Sequence, residues 1–226
     1  MTNPDRLPHA KVTNDGTQDG AQDGAHQADE FSDLRRQPRF ALLLRQAKLI
    51  GNGREYLCIV RDVSATGVKL KLFHPLPDAD DFLLEMTTGE RFRAIRVWEQ
   101  EGEAGFRFAP PIDLVRFLAE AGPFPKRPVR LRVDHPATIH SGGQDHPVML
   151  RDLSRQGGRI ETEQMLAIGQ KLRLSASQLP SFDATVCWRR HPAYGLVFDQ
   201  LLSLEQLAQR TARMEVDPTA GGDVPD

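Results

Sequence analysis

The residues best suited to chemistry fall in two strings of one design. Arg61-Asp62-Val63-Ser64-Ala65-Thr66-Gly67 and Arg151-Asp152-Leu153-Ser154-Arg155-Gln156-Gly157 share the skeleton Arg-Asp-x-Ser-x-x-Gly. On an extended segment Asp62 and Ser64 stand two residues apart, so their side chains project from one face. A carboxylate beside a hydroxyl at a strand end accepts and donates hydrogen bonds in one plane, as the edge of a guanine requires. Gly67 is expected at a positive φ, turning the chain into the next strand. A plainer reading of a single copy is an Asx-type turn in which Asp62 only holds the backbone. Upstream of the first string comes Arg35-Arg36-Gln37-Pro38-Arg39-Phe40. The guanidinium groups of Arg35, Arg36 and Arg39 are planar forks of donors, suited to phosphate oxygens and to the O6/N7 edge of guanine. A solvated basic patch is the bland alternative.

Why the string is written twice follows from the spacing. Asp62 and Asp152 are 90 positions apart, and the same offset carries Ser64 onto Ser154, Gly67 onto Gly157, Phe92 onto Phe182, Trp98 onto Trp188, Gly105 onto Gly195 and Phe108 onto Phe198. Upstream it carries Pro38 onto Pro128 and Gly53 onto Gly143. That many matches in one register mark a duplicated domain. The expected organisation is a tail over residues 1–33, units over 34–122 and 123–215, and a second tail over 216–226.

The elements that must position these residues have β texture. Val68, Leu70 and Leu72 alternate with lysines, and Arg-Phe-Arg-Ala-Ile-Arg-Val-Trp ending at Trp98 alternates too. Short strands with turn signals between them predict an antiparallel sandwich or barrel. Each unit closes on a helical pattern. In the first, a proline leads and Gly122 caps the C-terminus; in the second, Ser203 caps the N-terminus and Leu204 and Leu207 face inward. The fold class is therefore all-β with appended helices: two tandem six-stranded antiparallel β-barrels, each followed by a helix, with tails too poor in apolar residues to order. Residues 122–125 form the joint. Trp98 and Trp188 are expected in the barrel cores.

Bulk properties narrow the function. The chain has 226 residues, a net charge of −2 and 39% hydrophobic content, so no basic footprint attracts nucleic acid in bulk. The N-terminal residues lack a basic segment followed by an apolar run, and no stretch approaches the roughly 20 apolar residues of a membrane span. A cytoplasmic protein with no membrane insertion is expected. Cys58 and Cys187 each sit in an apolar strand-like run and read as buried free thiols of a reducing compartment. His135, His140 and His146 match no usual metal spacing, and no phosphate loop, dinucleotide fingerprint or nucleophile elbow is present. Neither an enzyme nor a metal site is expected.

Together, Arg35-x-x-x-Arg39 followed by Asp62-x-Ser64-x-x-Gly67 resembles the signature of the PilZ domain, a bacterial receptor module for the second messenger cyclic di-GMP. The resemblance extends to Val97-Trp98 and to Gly105-Phe106-Arg107-Phe108, and it covers both repeats. It implies a six-stranded barrel with the nucleotide across its outer face. Arg35 and Arg39, with Arg36 beside them, would hold phosphates and grip the guanines, Asp62 and Ser64 would meet a guanine edge, and Gly67 would keep the surface clear. It also implies an unidentified downstream protein, in motility, biofilm and exopolysaccharide, or cell-cycle control. A ligand-independent adaptor is the alternative. A barrel for single-stranded nucleic acid would need an aromatic ladder that the strand patterns do not offer.

The second unit departs from this pattern. Arg130 stands in the place of the second arginine and Lys126 in that of the first. Lysine is a point charge without a flat fork, although Arg127 or Arg132 could substitute. Lys126, Arg127, Arg130, Asp152, Ser154 and Gly157 therefore make a weaker second site.

Overall fold

The computed structural model describes residues 40–119 and 127–214. Alternation of apolar and polar residues builds twelve strands. In the first unit they are β1 (Phe40–Gly51), β2 (Arg54–Val63), β3 (Gly67–Leu72), β4 (Asp81–Met86), β5 (Arg91–Gln100) and β6 (Glu103–Phe108), followed by α1 (Leu114–Ala119). In the second they are β7 (Arg130–Ser141), β8 (Gln144–Ser154), β9 (Gly157–Glu161), β10 (Lys171–Ala176), β11 (Phe182–Arg190) and β12 (Ala193–Phe198), followed by α2 (Leu204–Arg213). All pairings are antiparallel, and each set of six closes into a barrel of one topology: β1-β2-β3-β6-β5-β4, and β7-β8-β9-β12-β11-β10. Val68, Leu70 and Leu72 point into the first barrel, as their alternation predicts, beside Leu49, Val60, Phe82 and Leu84. Leu131, Ile139, Leu150, Leu174 and Tyr194 fill the second.

Turn chemistry follows the residues. Asn52 and Gly53 both have positive φ, 50° and 71°, as a two-residue hairpin between right-twisted strands demands. Gly142 and Gly143 do the same between β7 and β8, at 61° and 79°. Ser203 caps α2 as expected: its hydroxyl accepts from the Gln206 N–H, and the Gln206 side chain accepts from the Ser203 N–H. Leu207 is buried and Leu204 packs on the core edge. Both tails, Gly122 and the 122–125 joint lie outside the described residues. Among the described residues no helix is long and apolar enough to cross a membrane.

Three expectations are corrected. Trp98 and Trp188 are not core residues; they are 42% and 40% exposed. Only Cys58 is buried, whereas Cys187 is exposed. Burial pushes the Cys58 thiol pKa well above its ordinary value, because thiolate charge is not tolerated there. Finally, the offset of 90 slips by one upstream of a bulge. β1 shifts register between Ala41 and Arg45, β7 between Arg132 and His135, with one residue fewer in the second. Leu44 and Asp134 occupy this bulge in left-handed conformation, at φ 49° and 44°. Counted from the aspartate, Phe40 therefore corresponds to Leu131 and Arg39 to Arg130.

The barrels meet through β2. Its Tyr56, Cys58 and Val60 face the first core, while Leu57 joins the second core with Val129 and Leu131. Arg54 donates to the Met214 carbonyl at 2.7 Å, and the Arg132 N–H donates to Glu55 Oε2 at 2.9 Å. Glu55 accepts in turn from Lys48 at 3.1 Å, which also reaches Glu85 at 2.8 Å. Leu57→Ala should cost roughly 2–5 kcal/mol of stability, read as a lower urea midpoint sensed from both barrels. Glu85 sits below the usual carboxylate range: burial works against its charge, but Lys48 and Arg91 outweigh it. Its contribution is thus full above the unfolded-state pKa and is lost as pH falls through the lower folded value. The stability gap between wild type and Glu85→Gln should hold from pH 7 down to the ordinary carboxylate range and shrink as pH falls below it.

Candidate functional site

The first string lies at the far end of β2, beside the start of β1. Phe40 pairs with Val63 and Ala41 with Asp62, so the chain carrying Arg39 is joined by one peptide bond to the strand end that lines the motif. β2 stops at Val63 and a turn over 64–67 leads into β3. Within it the Ser64 N–H donates to the Gly67 carbonyl at 2.8 Å, and the Gly67 N–H donates to Ser64 Oγ at 3.1 Å. Ser64 is buried, so it parts from Asp62 rather than sharing its face. The extended geometry that would align them ends one residue too soon. Ser154 repeats the arrangement, its hydroxyl donating to the Gly157 carbonyl at 3.0 Å.

Gly67 and Gly157 do not take the positive φ expected of them. They are needed for space. A Cβ at Gly67 would stand 2.9 Å from the Phe106 carbonyl oxygen, and one at Gly157 would overlap the Leu196 carbonyl. β3 and β6 thus approach closely, and the surface above the glycine stays clear.

Asp62 faces outward in a cross-strand row. Ala41 pairs with Asp62, Asp62 with Lys69, Lys69 with Gly105 and Gly105 with Trp98. Adjacent strands are about 4.8 Å apart, so the backbones of Asp62 and Trp98 are roughly 14 Å apart along one outer face. The Trp98 ring lies over Gly105, where any Cβ would overlap its Nε1. The second barrel repeats the row as Arg132, Asp152, Arg159, Gly195 and Trp188. An exposed indole of this kind offers a flat face for stacking a base. Its signal in the sequence is a Trp that recurs in step with a Gly across a hairpin.

The two carboxylates differ in their partners. Among the described residues Asp62 has Lys69 at 3.7 Å, and that ammonium lies closer to Glu103, at 3.1 Å. Asp152 is held by two guanidinium groups, Arg130 Nη1 at 2.9 Å and Arg159 Nε at 3.1 Å. Arg132 pairs with Asp134, a buried carboxylate that Arg151 also reaches at 3.1 Å. The Arg127 N–H donates to the Thr87 carbonyl at 3.2 Å. Arg35, Arg36, Arg39 and Lys126 lie outside the described residues. His135, set next to Ser177 at 2.6 Å, and His140, set next to Asp145 at 2.8 Å, are spent on single neighbours. Among the described residues no group of His, Cys, Asp and Glu is arranged to hold a metal ion.

A model of the PilZ domain matches residues 33–120 and, a second time, residues 126–213. The chain belongs to the PilZ-domain family. Each match covers one barrel with its helix, so the protein is a tandem PilZ chain. Solved structures similar to it include the PlzA protein of Borreliella burgdorferi in complex with cyclic di-GMP, at 12% identity over 83% of this chain and 98% of that one, with a TM-score of 0.34. The Bacillus subtilis inhibitor of motility is similar at 12% identity over 75% and 95%, with a TM-score of 0.32. Escherichia coli YcgR in complex with cyclic di-GMP is similar at 15% identity over 75% and 82%, with a TM-score of 0.29. A comparison with curated proteins finds no match.

In each PilZ barrel the Trp-on-Gly contact is tight enough to test directly. In a Trp188→Phe background, Gly105→Ala should force the Trp98 ring off the sheet. Its fluorescence emission should shift to the red and its quenching by iodide should rise, while the far-ultraviolet circular dichroism stays that of the parent.

Proposed function

We propose that this chain is a cyclic di-GMP receptor whose first barrel carries the main site and which passes the binding event to a partner protein. Arg35, Arg36 and Arg39 supply the guanidinium forks for phosphates and guanine edges. Asp62 accepts from a guanine, Ser64 shapes the turn that presents Asp62, Gly67 leaves room for the ring, and Trp98 offers a stacking plane.

The observation that carries this reading is the outward Asp62 carboxylate at the strand end where β1 begins, with only Lys69 for a described partner, at 3.7 Å. Membership of the PilZ family supports it. A planar base with donors on one edge and a dianionic backbone needs an accessible carboxylate, cations and a flat apolar face. The first barrel and the sequence leading into it carry these residue types.

The second barrel has the same row, with Arg159 against its carboxylate where the first has the more distant Lys69, and with Arg130 beside it. A ligand there must first displace a charge-assisted hydrogen bond from Arg130 and an ion pair with Arg159. The second unit is accordingly the weaker site, and Arg130 acts in it as a structural partner of Asp152.

Calorimetric titration of the whole chain with cyclic di-GMP tests the proposal. Arg39→Ala should weaken binding at least about tenfold, since a charge-assisted hydrogen bond contributes roughly 1.5–3 kcal/mol. Asp62→Ala should abolish most binding and Asp152→Ala should leave it nearly intact. Unchanged affinity in the Arg35→Ala, Arg39→Ala double variant would sink the assignment. A chain that binds no cyclic di-GMP at all would instead be a ligand-independent adaptor.

A further inference from the structure

Building on the reading of the Asp62 face as a cyclic di-GMP site, we infer that Arg107 is a further ligand-binding residue, placed to hold a phosphate of the dinucleotide. Arg107 stands on β6, with Gly67 as its Cα partner on one side and Ile95 on the other. It is exposed, and among the described residues it makes no hydrogen bond or ion pair. Gly67 places no side chain between Arg107 and the turn of the motif, and Ser64 is folded back into that turn. The guanidinium therefore borders open surface next to the Asp62 row.

Exposed arginines are common, so the case rests on what surrounds this one. The other cations of the first barrel are largely engaged. Lys48 is paired with Glu55 and Glu85, Lys69 with Asp62 and Glu103, Arg93 with Asp81, Arg96 with Glu99, and Arg116 with Glu90. A paired cation must lose its partner before it serves an incoming anion, whereas a free one gives its full attraction. Arg61, the bulge residue beside Asp62, is the other guanidinium of this barrel with no hydrogen bond or ion pair among the described residues. Both free guanidinium groups thus stand around the motif.

The second barrel sharpens the contrast. Val197 takes the place of Arg107, and Arg151, in the place of Arg61, is bound to Asp134 at 3.1 Å and Glu161 at 2.7 Å. Asp134 and Glu161 stand where the first barrel has Leu44 and Lys71. The second face supplies its own counter-ions and lacks the free cation, so a dianion gains little there. Arginine exchanged for valine beside the motif glycine, together with the two added carboxylates, separates a face poised for phosphate from one that is not.

The experiment is calorimetric titration of the full chain with cyclic di-GMP for the unaltered protein, Arg107→Ala, Arg107→Lys and Val197→Ala, with unfolding midpoints as a control. Arg107→Ala should weaken binding about tenfold or more and flatten its salt dependence. Arg107→Lys should restore part of the affinity, and Val197→Ala should change nothing. Wild-type affinity in a folded Arg107→Ala protein overturns this inference alone. No binding by the unaltered chain overturns the receptor reading and this inference with it.

Discussion

Each barrel depends on the pairing of its first strand with both its second and its fourth, β1 with β2 and β4, and β7 with β8 and β10. That double pairing removes every sheet edge, so no row of backbone donors is left to recruit another strand. It also commits the interior to side-chain packing, since a six-stranded cylinder is filled by residues such as Leu49, Leu70 and Leu84. Recognition is left to the outer face and the strand ends. The motif residues stand where β1 begins, β2 ends and β3 starts, at the rim of the closed barrel.

Most of this architecture was legible in the sequence. Alternation at Val68, Leu70 and Leu72 marks a half-buried strand, repetition at 90 residues marks two units, and Ser203 ahead of Leu204 and Leu207 marks a helix start. The tryptophans were misplaced for a definable reason. Ala94 faces the core, and counting by twos puts Trp98 on the same side. A bulge between Arg96 and Trp98 inserts one residue and reverses the parity, as it does between Val186 and Trp188. Bulges leave no reliable trace in a hydrophobic pattern. Gly67 illustrates a different limit: a glycine required by a close carbonyl and one required by a left-handed φ are identical as letters.

The candidate site was legible in its residue types and less so in its electrostatics. Asp62 and Asp152 belong to the same string, yet among the described residues one has a lysine at 3.7 Å and the other two arginines near 3 Å. Part of the difference traces to Lys69 against Arg159, opposite each aspartate in the ladder. The rest is Arg130, whose counterpart Arg39 lies outside the described residues, and around it Glu161 and Asp134, charges remote in sequence, hold Arg151. These become neighbours of the motif only once the strands are in register. Duplication preserved the scaffold and let the charge on its surface drift.

β2 belongs to two cores at once. One side of it lines the first barrel, Leu57 on the other side is sealed into the second, and the motif hangs from its far end. A strand held this way behaves as a beam built into two walls. A twist applied at that end, by whatever settles against Asp62, reaches the second core directly, because Leu57 of the same strand is packed in it. It must be taken up as strain or movement in the neighbouring barrel. The two repeats are therefore mechanically one device, in which a load on the first is felt inside the second.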